Sequence, residues 1–197
     1  VPGFSLFRQQ SSLVAHPTTQ GVSLRGIGPS GVSRTLVLLD GVPLNDAFGG
    51  WVYWSRIPTE LIERIEIVRA GGSSVWGNYA AGGVIHIITA SPKERRTRMR
   101  AEVGNRTTAD VQAVAARPGS GVDWIVDASR FSTGGWHPLG ADERGAIDEE
   151  AASNHGTGGL TLSGRVGPHA DARLTARYFA ENRDNGTRLT GNRTNSE

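Results

Sequence analysis

The sequence predicts a compact domain of strands and short helical turns, followed by a run of antiparallel β-strands. Up to about residue 90 the chain has short apolar segments of mixed type, whereas from residue 97 apolar and polar side chains alternate with period two. The segment between them, SPKERR at 91–96, is charged and contains a proline, which is typical of a domain boundary. These three observations predict a domain at 1–90, a linker at 91–96 and a strand region at 97–197.

In the first region, apolar and β-branched segments predict four strands, and two short segments predict helical turns. Pro58 is placed in the first turn of a short helix and Glu60 follows it, where the helix dipole favours an acidic residue. The pair Asp40-Gly41 ends the second strand, and we interpret Asp40 as a structural residue whose carboxylate binds local amides. The predicted strands are 22–25, 35–40, 65–69 and 83–89, with helical turns at 58–63 and 73–77.

The second region predicts about five strands with an asymmetric set of connections. Tight turns fall at one end of the hairpins, and the longer loops, above all 133–156, fall at the other. Transmembrane barrels have this asymmetry, and tilted strands of about ten residues are long enough to cross a bilayer. The predicted strands are 97–103, 109–117, 122–132, 160–166 and 172–178, with a polar segment from about residue 182.

A soluble β-sandwich stays open as the alternative for this region, because it gives the same alternation. One face of the strands is charged, which favours a barrel with a wet lumen; its residues are Arg98, Arg100, Glu102, Arg173 and Arg177. The other face has small and aliphatic residues that suit lipid.

The segment GIGPSG at 26–31 fits the spacing G-x-G-x-x-G of a dinucleotide-binding loop. That loop must open a helix, because the amides at the helix N-terminus hold the phosphates. Here the next residues, 32–41, are apolar and β-branched and predict a strand. Because the chain has 27 glycines in 197 residues, we interpret the match as a strand-turn-strand connection.

Composition narrows the class of function further. The net charge is only +2, which does not indicate a nucleic-acid partner, and no cysteine is present for a disulfide or a cysteine-based site. Five histidines are scattered without metal-ligand spacing. No ordered Ser-His-Asp set and no carboxylate pair in a cleft is recognisable. We therefore expect neither an enzyme nor a protein-bound metal or cofactor.

Four blocks in residues 21–90 identify a family. SLRGIG, RTLVLLDGVPLND, IPTELIERIEIVRAG and SSVWGNYAAGGVIHIIT, in this order and spacing, resemble the plug domain of TonB-dependent outer-membrane receptors. The resemblance implies an α+β plug domain followed by the first five strands of a transmembrane β-barrel, which in this family has about 22 strands. It also implies further sequence at both ends of the chain.

The same resemblance implies the function. We expect TonB-dependent active transport of an iron-siderophore, cobalamin or similar ligand across the bacterial outer membrane, with the plug occluding the barrel. A receptor that senses or only binds the ligand is the alternative. The expected partners are the ligand, outer-membrane lipid and the TonB-type energy-transducing complex, whose binding box would precede Val1. The sequence does not specify which ligand is bound.

Ligand contacts are expected from the segment at 45–56, where plug domains of this family raise an apical loop. Its aromatic rings offer stacking faces and its polar groups offer hydrogen bonds, although Trp51 and Trp54 packing inside the protein is an equal alternative. The candidate residues are Asn45, Asp46, Phe48, Trp51, Tyr53, Trp54 and Arg56. Weaker candidates are Pro29, Ser30, Trp136 and His137.

Two arginines are candidates for contacts between plug and barrel. The family pairs the arginine of its RG block and the arginine of its IEIVR block with glutamates of the barrel wall, and these positions are Arg25 and Arg69. A paired buried charge fixes register, whereas an unpaired one is strongly destabilising. The alternative is a solvated arginine at a strand end.

Overall fold

The computed structural model describes residues 5–7, 13–24, 34–69, 73–189 and 191–196. Arg25, Pro29, Ser30 and the glycine motif at 26–31 lie outside the described residues. The chain forms two compact units: the first contains 1–54 and 62–89, and the second contains 55–61 and 90–197. The second unit resumes at residue 90, one residue before the predicted linker at 91–96, and its inclusion of 55–61 was not predicted.

The first unit contains two small sheets. In the four-stranded sheet the strand order is β4-β3-β6-β5, and β3 runs parallel to β6 while the other pairs are antiparallel. A two-stranded antiparallel sheet joins β1 and β2. The strands are β1 Ser5–Phe7, β2 Gly21–Ser23, β3 Thr35–Leu39, β4 Val42–Pro43, β5 Ile62–Val68 and β6 Gly83–Thr89. The one α-helix among the described residues, α1, is Ser73–Trp76, and 3-10 turns cover Pro17–Thr19 and Asn78–Ala81.

Strand β3 is the centre of the first unit. Every one of its residues is buried, in agreement with an apolar run that is covered on both faces. Leu36, Leu38, Val84 and Ala80 form one buried cluster, and Tyr79 packs against it. The predicted strands at 35–40 and 83–89 are therefore present and carry the core.

Asp40 has a structural role, but its partner is distant in sequence. Its carboxylate accepts hydrogen bonds from the backbone N–H of Thr89 at 2.9 Å and from the Thr89 hydroxyl at 2.6 Å. Asp40 itself has a positive φ of 48°, which an Asp adopts more readily than most residues. The structural role is therefore a contact distant in sequence: the carboxylate joins the end of β3 to the end of β6.

The predicted helix at 58–63 is a single 3-10 turn, Thr59–Leu61. The N–H of Leu61 donates to the carbonyl of Pro58 at 3.1 Å, and β5 begins at the next residue. The β-branched run that follows Leu61 favours the strand, and β5 therefore begins three residues earlier than predicted. A further 3-10 turn is Trp54–Arg56.

The second unit is an antiparallel sheet of six strands in the order β12-β11-β10-β9-β8-β7 within the described residues. About five were predicted; the sixth lies in the segment predicted to be a polar loop. The long loop is shorter than predicted, at 137–150, because β9 and β10 extend toward each other. The strands are β7 Arg96–Val103, β8 Ala109–Arg117, β9 Val122–Trp136, β10 Ala151–Arg165, β11 Asp171–Asp184 and β12 Gly191–Ser196.

The two faces of this sheet have opposite character. Strand register and the alternation of side chains place one set on an exposed apolar face: Met99, Val103, Val111, Ala113, Val126, Ala128, Leu160, Leu162, Leu174, Ala176 and Tyr178. The opposite, polar face carries Arg98, Arg100, Glu102, Asp110, Gln112, Asp127, Thr157, Thr161, Arg177, Glu181 and Arg183. Met99 is 79% exposed, whereas Asp127 is 3% exposed.

No helix among the described residues has the length and the apolar character needed to cross a membrane.

Candidate ligand-binding loop

The loop that begins at Asn45 is closed by the Asn45 side chain. Its amide oxygen accepts the N–H of Val37 at 2.8 Å, and its amide nitrogen donates to the carbonyls of Thr35 at 3.2 Å and Gly50 at 3.1 Å. A β-bridge pairs Asn45 with Val52. The Asn45 side chain thus bonds backbone groups of β3 as a paired strand would. Its bond to Gly50 holds the loop closed.

Asp46 builds the turn at the tip of the same loop. Its Oδ1 accepts the N–H groups of Phe48 and Gly49, each at 2.9 Å. Its own N–H donates to the Trp51 carbonyl at 2.8 Å, and its carbonyl accepts the N–H of Gly50 at 2.8 Å. An aspartate that binds its own turn in this way is a common turn device.

Phe48 is the exposed member of this loop. The turn around Asp46 projects its side chain so far that 96% of the residue is exposed. The Tyr79 hydroxyl donates to the carbonyl of Ala47 at 3.3 Å and so attaches the tip to the 3-10 turn at Asn78–Ala81. An aromatic ring is thereby presented to solvent on a turn held from both sides.

Trp51 packs against the loop itself. A Cβ on Gly49 would lie 1.5 Å from the Trp51 ring, so only glycine fits beneath the indole. The indole N–H groups of Trp51 and Trp54 are buried and have no hydrogen-bond partner among the described residues. Tyr53 between them is half-buried. The Trp51 ring packs on Gly49, and Trp51 stays a predicted ligand residue with internal packing as the alternative.

Arg56 lies on the sheet of the second unit. Its guanidinium carbon is 5.4 Å from the centre of the Phe179 ring on β11, within cation–π range. The hydroxyl of neighbouring Ser55 donates to Glu181 at 3.3 Å. Six of the seven predicted ligand residues, from Asn45 to Trp54, therefore belong to the first unit, and Arg56 belongs to the second.

The rest of the segment 55–61 is bound to β7 and β8. The Gln112 side-chain oxygen lies 3.1 Å from the Thr59 hydroxyl and accepts the N–H of Glu60 at 3.2 Å, and Arg100 donates to the same Thr59 hydroxyl at 3.3 Å. Leu61 is buried with four residues of the second unit: Ala90, Val114, Ala116 and Ile125. We call residues 55–61 the anchor segment.

Three rings, Phe131, His155 and Phe179, form an aromatic column across the polar face of the sheet, beside Arg56. The rings of Phe131 and His155 stack with centres 4.9 Å apart, and His155 and Phe179 follow at 6.4 Å. Beside the column, Arg183 and Glu181 form a 2.6 Å ion pair in which both side chains are 3% exposed.

Sequence reasoning missed Phe179, Glu181 and Arg183 because it ended the last strand near residue 178, and it missed His155 because it placed 133–156 in a loop. The signal was present: the two-residue spacing of Phe179, Glu181 and Arg183 continues the alternation of that strand.

The remaining predicted site residues are not brought together. Arg69 follows β5 and is exposed. Trp136 is the last residue of β9 and pairs with Ala151, and His137 follows it at the start of the long loop. No group of three or more His, Asp or Glu side chains among the described residues is arranged to hold a metal ion.

Residues 1–84 match the family model described as TonB-dependent Receptor Plug Domain. This chain carries the plug domain of TonB-dependent receptors. It is 45% identical over 71 residues to the vitamin B12 transporter BtuB of Vibrio vulnificus (strain YJ016). The aligned segment covers 36% of this chain and 11% of that transporter. It is 40% identical over 80 residues to the ferrienterobactin receptor of Escherichia coli (strain K12), covering 34% of this chain and 10% of that receptor. The chain thus spans only a small part of these relatives.

Solved structures show the same fold. The ferric enterobactin receptor PfeA of Pseudomonas aeruginosa, solved with enterobactin, aligns over 92% of this chain and 30% of its own, with a TM-score of 0.62 and 20% identity. The copper transporter OprC aligns over 92% of this chain and 27% of its own, with a TM-score of 0.62 and 15% identity. The predicted plug domain followed by antiparallel strands is thereby confirmed. The TonB-dependent receptor relatives are transporters and receptors, not enzymes, in agreement with the prediction.

Proposed function

We propose that this chain supplies the plug and the first wall strands of a receptor that imports an iron-siderophore or a cobalamin-like ligand across the bacterial outer membrane. One observation carries the proposal. The plug match at 1–84 is followed directly by a sheet whose apolar face is exposed and whose polar face holds buried charges. Relatives named as a vitamin B12 transporter and a ferrienterobactin receptor support the class of ligand.

The exposed apolar face is the surface that we assign to outer-membrane lipid. Leu174 is 68% exposed, Tyr178 is 55% exposed and Leu160 is 41% exposed. In water such a face would be unfavourable, because burying apolar area contributes roughly 25 cal/mol per Å². A lipid-facing apolar band with a polar interior is the pattern of transmembrane barrels.

Phe48 is the residue that we assign to first contact with the ligand. It is exposed at the tip of a turn whose polar side chains, Asn45 and Asp46, are already bonded to backbone. The contact is therefore aromatic stacking on a planar group, such as a catecholate ring or the corrin of cobalamin, and Asn45 and Asp46 act by holding the turn. Tyr53, Trp54 and Arg56 remain candidates for later contacts.

The anchor segment is the part of the plug match that we assign to contact with the wall strands. It combines the Arg56–Phe179 stack, the Gln112 hydrogen bonds and the burial of Leu61. Arg25 and Arg69 remain predicted partners of wall glutamates. Energy for opening the plug would come from the TonB-type complex.

Uptake by whole cells tests the proposal. Cells that carry the complete receptor gene should accumulate labelled ferric enterobactin or labelled cyanocobalamin, and cells without the energy-transducing complex should bind the ligand without accumulating it. Binding without accumulation in both strains would favour the binding-only alternative. Binding of neither ligand above the level of cells lacking the gene would contradict the proposed ligand class.

The variant Phe48→Ala sharpens this test at the level of one residue. Loss of one aromatic stack, about 0.5–1.5 kcal/mol, should weaken ligand binding about two- to tenfold. The matched control is Val42→Ala, because Val42 is an apolar residue of the same unit that is 65% exposed and lies outside the loop. Equal ligand affinity of the Phe48 variant and the parent protein would show that Phe48 does not contact the ligand.

A further inference from the structure

Two loops of the second unit, the long loop after β9 and the loop after β11, are fastened together. The N–H of Arg188 donates to the carbonyl of Ile147 at 3.0 Å, and the N–H of Glu149 donates to the carbonyl of Gly186 at 2.9 Å. An ion pair also joins the side chains of Arg188 and Glu149. We call these four residues the loop staple.

Gly186 occupies a position of the staple that only glycine fits. Its φ is 81°, a conformation that residues with a Cβ rarely adopt. A Cβ at this position would overlap the ring of Pro138 in the long loop. The preceding residue is Asn185, and this is the one Asn-Gly pair in the sequence. The fold therefore keeps a glycine directly after an asparagine.

The two groups that can react with each other in this pair are not engaged elsewhere. Among the described residues, no hydrogen-bond partner exists for the Asn185 side chain or for the Gly186 N–H. Asn185 is half-buried and follows Asp184, the last residue of β11. No hydrogen bond of the sheet has to break before the two groups meet, and no Cβ on Gly186 obstructs their approach.

We propose that Asn185 is a site of spontaneous deamidation that opens the loop staple. The backbone nitrogen of Gly186 attacks the side-chain carbonyl carbon of Asn185, and the bond from that carbon to the amide nitrogen breaks. Ammonia leaves with the proton from the Gly186 nitrogen. Water then opens the resulting cyclic imide at either carbonyl, which gives an aspartate or an isoaspartate at position 185.

Both products act against the staple. Each adds a negative charge directly after Asp184, in a loop that is already held to the acidic Glu149, and like charges repel one another. The isoaspartate also routes the main chain through the former side chain, which lengthens it by one methylene group. The Gly186 carbonyl and the Arg188 N–H are then displaced from their partners. None of these steps requires the proposed transport function.

Ageing of the complete receptor, purified in detergent and kept at neutral pH, tests the proposed site by peptide mass spectrometry. The peptide that contains Asn185 should gain the mass difference between an amide and an acid, in two forms that match synthetic aspartate and isoaspartate standards. Asn105 is exposed and precedes an arginine, so this internal control should keep its amide. The variant Asn185→Gln should lose the modification, because its longer side chain has to close a larger ring.

Hydrogen exchange tests the proposed effect on the staple. In the aged receptor the amides of Glu149 and Arg188 should exchange about two- to tenfold faster, the factor expected for one lost hydrogen bond. In the aged Asn185→Gln variant they should exchange at the rate of the fresh protein.

Two results would overturn the proposal. The first is an Asn185 that keeps its amide in the receptor over a time in which a synthetic peptide of residues 182–188 loses it. The second is complete deamidation with unchanged exchange at Glu149 and Arg188. Ligand uptake by cells that carry the parent receptor or the Asn185→Gln variant reports separately on the proposed function.

Discussion

The two units of this chain differ in the charge that they bury: among the described residues, the buried charged side chains Asp127, Glu181 and Arg183 all belong to the second unit. In the first unit the central strand β3 is apolar and fully buried, and Val37 is 0% exposed. In the second unit Leu174 is 68% exposed, while Arg183 is only 4% exposed. One chain thus contains a central strand that is apolar and covered on both faces, and a sheet that exposes one apolar face and buries charges on the other.

The difference shows that period-two alternation identifies a strand but not the medium that each face meets. Alternation needs only that the two faces differ. What distinguishes the second unit is the kind of residue that is buried: paired charges and hydrogen-bonded polar groups, such as Arg177 with Asp127 at 3.0 Å. A buried charge is tolerated when it is paired. The paired charges show that the polar face of this sheet is the buried one.

The largest expected effect comes from the buried ion pair of the second unit. Arg183→Ala leaves the Glu181 carboxylate buried without its 2.6 Å partner, which should destabilise the complete receptor by about 3–5 kcal/mol. Denaturant unfolding in detergent measures the loss. The variant with both Arg183→Ala and Glu181→Ala should recover part of it, because no unpaired charge is then left.

The first unit supplies a matched control for this ion pair. Arg64 and Glu66 on β5 have the same two-residue spacing and a 2.8 Å contact, but their side chains are 60% and 51% exposed. Arg64→Ala should therefore cost about 0–1 kcal/mol. Equal losses for Arg64→Ala and Arg183→Ala would mean that the second unit does not bury its charges.

This comparison also shows what the sequence predicts well. Strands β3 and β6 were predicted within one residue, because long apolar runs with a turn pair leave little choice of structure. The wall strands at 97–103 and 109–117 were predicted equally well, because their alternation is regular. The fold class followed from the plug blocks.

The details that escaped prediction depend on distant partners. Asp40 binds Thr89, a contact that the sequence did not predict because only the pairing of β3 with β6 creates it. The bonds of Asn45 to Val37 and of Asp46 to Phe48, which shape the loop, were also not predicted, and both residues stay predicted ligand contacts. The anchor segment belongs to the second unit through Leu61 and Gln112, and no local pattern reveals this.

A substitution on the exposed apolar face tests which medium it meets. Leu160→Arg should destabilise the receptor by about 2–4 kcal/mol if Leu160 lies near the middle of a bilayer. The control Val42→Arg changes an apolar residue of the first unit that is 65% exposed, and it should stay within about 0.5 kcal/mol. Unfolding of both variants in lipid vesicles gives the comparison, and a Leu160→Arg loss as small as that of the control would indicate a water-exposed face.

The smallest expected effect concerns the anchor segment, residues 55–61, which interrupts the first unit in sequence and belongs to the second. Arg56→Gln removes the charge above Phe179, 5.4 Å away, and a partly exposed cation–π contact contributes about 0.5–1 kcal/mol. Amide hydrogen exchange in the anchor segment should then be about two to five times faster, measured at the Leu61 N–H that donates to Pro58. The β3 amides should exchange at the parent rate, because β3 belongs to the first unit. The opposite result, faster exchange in β3 with unchanged exchange at Leu61, would contradict this assignment. The anchor segment would then belong to the first unit.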